Sequence, residues 1–142
     1  MIIAVDFDGT IVEHKYPAIG KEIPFAIDTL KRLRQEHHSL ILWTVREGCL
    51  LEEAVEYCRR RGLVFHTVNR NLKEGTGESK DYSRKLKADL FIDDRNLGGL
   101  PDWGIIYRMI HEQLDYEELY TGMESKKGIP KWNLWKSLLG KK

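Results

Sequence analysis

The sequence predicts an α/β protein built on a mainly parallel sheet with helices on both faces. Three observations predict it. Short apolar runs read as strands, amphipathic segments read as helices, and the two largely alternate along the chain. Parallel neighbours need crossover connections, and helices supply them. The residues best suited to chemistry fall at or beside the ends of the apolar runs, where ligands bind in such sheets.

Each element has its own justification. Met1-Ile2-Ile3-Ala4-Val5 is an apolar run and reads as a buried strand. Asp6-Phe7-Asp8-Gly9-Thr10 follows at once, and Gly9 lets the backbone turn sharply. Residues 11–23, with Pro17 and Gly20, read as an irregular flap loop. Pro24 suits the first turn of a helix. Phe25, Ile27, Leu30 and Leu33 then keep helical spacing until Glu36-His37-His38. Ser39 to Thr44 is the second strand, punctuated by Glu47-Gly48. Leu50, Leu51, Ala54, Val55 and Cys58 mark an amphipathic helix, with Gly62 placed to end it.

Leu63 to Val68 is β-branched and aromatic, a third strand. Residues 69–83 are polar, carry Gly75 and Gly77, and read as a long mobile loop of the kind that is usually functional. Ala88 to Ile92 is the fourth strand, ending in Asp93-Asp94. Trp103 to Leu114 has helical spacing. Residues 116–142 form an extension with a weaker pattern, in which Leu134 to Leu139 suggests a short helix or an ordered tail. The whole chain, 1–142, is read as one domain, a normal size for one core.

Composition excludes several classes. The net charge of +1 gives no overall electrostatic case for nucleic acid or membrane binding. No apolar run approaches the ~18–20 residues of a spanning helix. Asp6 interrupts the apolar start too early for a signal peptide. Cys49 and Cys58 match no common zinc spacing, and two lone thiols in structural roles suit the cytoplasm.

Residue chemistry points to phosphoryl transfer. Asp6 and Asp8 are like charges, and burying them together costs several kcal/mol unless a hard cation such as Mg²⁺ neutralises them. An Asp carboxylate can attack phosphorus, and a second can serve as general acid and base. A hydroxyl from Thr44 and a lysine ammonium can stabilise the phosphoryl oxygens. Asp93-Asp94 can complete a metal shell. Taken singly, these residues have plain alternatives: Thr44 as a strand end, the acidic pair as a helix cap, Lys80, Lys85 and Lys87 as surface lysines. Together they reinforce one another.

The set Asp6 to Thr10, Thr44 within Leu42-Trp43-Thr44-Val45-Arg46, and Asp93-Asp94 resembles the signatures of the haloacid dehalogenase (HAD) superfamily. Pro17-Ala18-Ile19-Gly20 and Ile92 to Asn96 resemble small bacterial members of it. The resemblance implies a three-layer, Rossmann-like domain and hydrolysis of a phosphomonoester through an aspartyl-phosphate. It makes Asp6 the nucleophile and Asp8 the general acid and base. Mg²⁺ would be held by Asp6, Asp8 through its backbone carbonyl, Asp93 and Asp94. Gly9 and Thr10 would shape the turn that follows the nucleophile and, with Arg46, bind the substrate. Of the three lysines, Lys85 sits closest to the family pattern, because Ser83-Arg84-Lys85 abuts the fourth strand. The intervals between motifs are too short for a cap domain, so a capless, open site is expected.

The substrate class stays open. His14, Lys15, Tyr16 and Arg46 fall near the expected mouth and could contact a leaving group. Trp103, Tyr107, Trp132 and Trp135 suggest either a homo-oligomer interface or packing on the chain's own core. Two other readings compete with the enzyme. A metal-binding scaffold could keep these residues without turnover. A phospho-accepting signalling domain would need an Asp after the third strand, where Val68-Asn69 stands. A dehalogenase would lack the second Asp of the first signature and the acidic pair.

Overall fold

The structure, a computed structural model, describes residues 1–72, 85–114 and 118–119. The elements are β1 (Ile2–Val5), α1 (Ala26–Gln35), β2 (Ser39–Leu42), α2 (Gly48–Arg60), β3 (Thr67–Val68), β4 (Leu90–Ile92) and α3 (Trp103–Glu112). The chain divides into two compact units, Met1–Leu100 and Pro101–Lys142. The first contains a four-stranded, all-parallel sheet of order β3-β2-β1-β4. The chain runs outward from β1 through β2 to β3, then returns to the opposite side of β1 for β4. That reversal is where open α/β sheets form a crevice.

Register levels the strand ends. Val5 pairs with Leu42 on one side and Ile92 on the other, and Leu42 pairs with Val68. The ladder runs one step further, with Asp6 N–H donating to Ile92 O at 3.0 Å and Trp43 N–H to Val5 O at 2.8 Å. Asp6, Trp43 and Asp93 therefore leave the sheet side by side. Both faces of the central strands are covered, as parallel sheets require. Ile3, Val5, Leu40 and Leu42 are fully buried, and Ala4 and Ile41 cluster with Leu86 against Ile2, Trp43 and Phe91. Each such Ile or Leu contributes roughly 1.5–3 kcal/mol. Helix α1 packs against β2 and buries Ala26, Ile27, Leu30 and Leu33.

Two strands are shorter than their apolar runs. At each start a side chain replaces one of the two backbone acceptors, and the other backbone bond remains. Leu40 N–H donates to the His66 imidazole while His66 N–H donates to Leu40 O, and of the expected 63–68 strand Thr67–Val68 forms β3. Ile2 N–H donates to the Asp89 carboxylate while Asp89 N–H donates to Ile2 O, and β4 begins at Leu90 rather than Ala88. Pro24 lies ahead of α1, not inside it. Phe25 occupies the N-cap at φ 66° with a 71% exposed ring, outside the expected apolar face.

Helix ends follow capping physics. At α2, Gly62 N–H donates to Arg59 O and Leu63 N–H to Cys58 O, which is the Schellman pattern. Gly62 holds the left-handed position at φ 80°, as its place after the helix led us to expect. His37 does the same at the end of α1 at φ 65°. Burial pushes the Cys58 thiol up to about 12, so it is an inert core group, while Cys49 is exposed.

In the second unit, the Asp102 carboxylate caps α3 by accepting from Gly104 and Ile105 N–H. Trp103 is buried and so is not an aromatic offered to another copy, while Tyr107 stacks on His111. Trp132, Trp135 and the final helix expected over 134–139 lie outside the described residues, as does most of the 69–83 loop. No helix of the described residues is long and apolar enough to cross a membrane.

A Cβ at Gly62 would meet only the Lys31 side chain, at 3.7 Å, so substitution there tests backbone strain alone. Gly62→Ala should lower stability by about 1–2 kcal/mol in urea unfolding. An unchanged midpoint would mean that the left-handed cap is not held.

Candidate functional site

Level strand ends bring three carboxylates together. Ligand oxygens of Asp6, Asp93 and Asp94 all lie within 4.8 Å of one another. Two neighbours enforce this. Thr10, 0% exposed, accepts from Asp94 N–H at 3.0 Å through Oγ1, which ties the loop after β4 to the loop after β1. Gly9 turns at φ 91°, and a Cβ there would overlap the Asp94 carboxylate. Gly9 is thus demanded both by its backbone and by that approach. Gly9 and Thr10, expected to shape the turn after Asp8, also brace the loop that carries Asp94.

The cluster is electrostatically unsettled. Burial, opposed by a hydrogen bond from Phe7 N–H and reinforced by Asp93, Asp94 and Asp8, raises the Asp6 carboxyl to about 6. Asp94 Oδ1 is buried and accepts no hydrogen bond, an uncommon position for a carboxylate oxygen. The three carboxylates could together hold a divalent cation.

Asp8 stands apart from the other three. Its carboxylate is 5% exposed, and both oxygens are engaged by Arg46, Nε to Oδ2 and Nη2 to Oδ1, each at 2.7 Å. The carboxylates that cluster are those of Asp6, Asp93 and Asp94, while that of Asp8 is held by Arg46. Arg46 itself was expected to meet substrate. It is 0% exposed, and its fork is committed to Asp8 and to the carbonyls of Pro17 and Ala18. The Asp8 hydrogen bonds raise the guanidinium further above its usual range.

A cavity of about 410 Å³ opens over this end of β1. Asp6, Asp8, Asp93 and Thr44 contribute its polar floor. Tyr16, Trp43 and Val45 give apolar wall, and His14 and Arg95 bring basic groups. Thr44 is held by Asn69, whose amide accepts from Thr44 N–H and donates to Thr44 O, both at 2.9 Å. Arg46 N–H donates to Thr44 Oγ1 at 3.3 Å.

Lys85 is exposed and is not among the described residues lining the cavity. Lys87 is likewise exposed, its N–H donating to Asn71, and Lys80 lies outside the described residues. Sequence reasoning missed Asn69 and Arg95. The signal for Asn69 was an Asn ending a strand, a residue that tolerates the φ of 50° found there. The signal for Arg95 was its place beside the acidic pair.

Residues 11–23 were expected to be irregular and are instead folded back on themselves. Glu13 N–H donates to Lys21 O, Ile23 N–H donates to Ile11 O, and Val12 bridges Glu22 antiparallel. Ile11 and Val12 are fully buried, which anchors the base of this flap. Tyr16, near its tip, reaches the cavity wall.

A solved structure described as a conserved protein from Bacteroides thetaiotaomicron is 64% identical, covering 85% of this chain and 98% of that one, with a TM-score of 0.80. No family model matches the chain, and no curated protein matches it.

The raised Asp6 carboxyl has a sign that can be tested. An acid whose folded pKa exceeds its ordinary 3.8 favours folding below that pH, and loses this contribution as pH rises through about 6. In chelator, Asp6→Asn should therefore melt above the unsubstituted protein at neutral pH, with the gap closing towards pH 4. A gap independent of pH would show that Asp6 is not under this strain.

Proposed function

We propose that this chain, which belongs to the same family as the conserved Bacteroides thetaiotaomicron protein, is a Mg²⁺-dependent phosphohydrolase of the haloacid dehalogenase type. It would cleave a phosphomonoester through an aspartyl-phosphate. The observation that carries this is Asp6. Its carboxylate stands at the open end of the central strand, in a cavity, beside two further carboxylates and the Thr44 hydroxyl. On this reading the first unit is a three-layer, Rossmann-like, capless domain, and the protein works in the cytoplasm.

The residues present suit the ion. Asp6, Asp93 and Asp94 would hold Mg²⁺, which supplies charge neutralisation and polarises the phosphoryl oxygens. The chain does the rest. An Asp6 oxygen forms a bond to phosphorus as the ester oxygen leaves, and Asp8 gives that oxygen its proton. Thr44 donates a hydrogen bond to a phosphoryl oxygen where charge accumulates. Water then attacks the phosphorus of phospho-Asp6 and gives its proton to Asp8, releasing phosphate. Arg95 and His14 supply basic groups at the cavity wall, where Lys85 was expected to act. The remainder of the substrate meets the Tyr16, Trp43 and Val45 wall.

A second reading has one observation in its favour. With both Asp8 oxygens engaged by Arg46, the acid is tied down, which suits a metal-binding scaffold with little turnover.

A panel of phosphomonoesters with millimolar Mg²⁺ separates the two. The enzyme reading expects hydrolysis that Asp6→Asn reduces by on the order of 10³-fold or more. Silence across the panel favours the scaffold. In either case Mg²⁺ at about 100 times its Kd should add about 2.7 kcal/mol of stability, read as a higher melting temperature. A melting curve that Mg²⁺ leaves unmoved would remove the metal from both readings.

A further inference from the structure

Arg46 carries an inference of its own. Among the fully buried side chains of the described residues only Trp103 is larger. Enclosing a guanidinium costs several kcal/mol unless its donors are met. Here four of its five N–H groups are met, and the partners divide in two. Two bonds go to Asp8, one to each oxygen at 2.7 Å. The other two go to the flap, Nη1 to Pro17 O and Nη2 to Ala18 O, both at 2.9 Å. The guanidinium carbon also lies 5.1 Å from the centre of the Phe7 ring and 5.3 Å from that of Tyr16. Three separate stretches of chain, 7–8, 16–18 and 46, thus meet on one planar cation.

We propose that Arg46 is a positioning residue that couples the flap to Asp8, so that Asp8 is correctly aimed into the cavity only while Pro17 and Ala18 are seated. This rests on the reading of Asp8 as the acid of a phosphohydrolase. The fork fixes the plane of the Asp8 carboxylate, because two parallel bonds leave it no rotation. The fork in turn is fixed by the flap carbonyls. If the flap lifts, two donors of a buried cation lose their acceptors, and the cation shifts or draws in water. Asp8 then loses its orientation. Tyr16 faces the same guanidinium at 5.3 Å and lines the cavity, so the flap also supplies part of the wall of the site that Asp8 serves.

Two measurements test the coupling, one of them independent of turnover. Hydrogen exchange is followed at Glu13 and Ile23, whose N–H groups close the flap, and at Trp43, which belongs to the sheet. Arg46→Lys keeps the charge and loses the fork. Asp8→Asn touches no flap carbonyl and keeps the side-chain shape. The proposal expects both variants to speed exchange at Glu13 and Ile23 by about tenfold or more, with Trp43 little changed. Should Arg46→Lys fail to fold, Asp8→Asn alone decides. A flap unaltered in Asp8→Asn overturns the coupling.

The second measurement compares leaving groups. Arg46→Lys should slow an alkyl phosphate, which needs the acid, by about 10²-fold more than p-nitrophenyl phosphate, which does not. Equal losses on both would mean a merely structural Arg46. If the unsubstituted protein hydrolyses neither, the phosphohydrolase reading fails, and with it the acid role assigned here, whatever the exchange data say about the flap.

Discussion

The crowding of like charge at the ends of β1 and β4 is the constraint on which the rest of the site depends. Asp6, Asp93 and Asp94 repel one another, yet the register that aligns Val5 with Ile92 leaves them side by side. Within the cluster only backbone N–H groups, Phe7 to Asp6 and Arg95 to Asp93, are seen to offset that repulsion among the described residues. The work is done by the apolar ladder behind it and by two small devices in front, the missing side chain of Gly9 and the enclosed Thr10 hydroxyl. A site that breaks the rules of favourable burial has to be held by surroundings that obey them.

Two carboxylates two residues apart receive opposite treatment. Asp6 is raised by burial first and by the neighbouring acids second, while Asp8 is enclosed by a guanidinium that answers both its oxygens. Separate environments are how one short loop can assign separate tasks to identical side chains. Arg46, reaching back from the loop after β2, makes the division by holding both oxygens of Asp8. The same cation seats the flap, so the wall of the cavity and the aim of Asp8 share one support.

Much of this was legible in the chain. Asp6, Thr44 and the Asp93-Asp94 pair follow apolar runs, and a parallel sheet gathers whatever follows its strands at one edge. The left-handed end of α2 could be read from Gly62 for an equally local reason. What was not legible depended on partners distant in sequence. Nothing near His66 or Asp89 announces that their side chains take backbone N–H groups from β2 and β1. Arg46 looked like a residue of the site mouth because its place in the chain is there. Its burial follows from a flap that folds back through the Val12–Glu22 bridge, and no local pattern in residues 11–23 shows that.

The central claim is that Asp6 is the atom-transferring group and Asp8 its acid and base. Asp8→Asn should still be phosphorylated by an ester whose leaving group departs without a proton, and then stall, because no base activates water for the second step. Acid quenching, proteolysis and mass mapping of that variant would locate the phosphoryl group directly. The account predicts it on Asp6. A phosphoryl group on any other residue, or continued turnover in a protein carrying Asn at position 6, would contradict it.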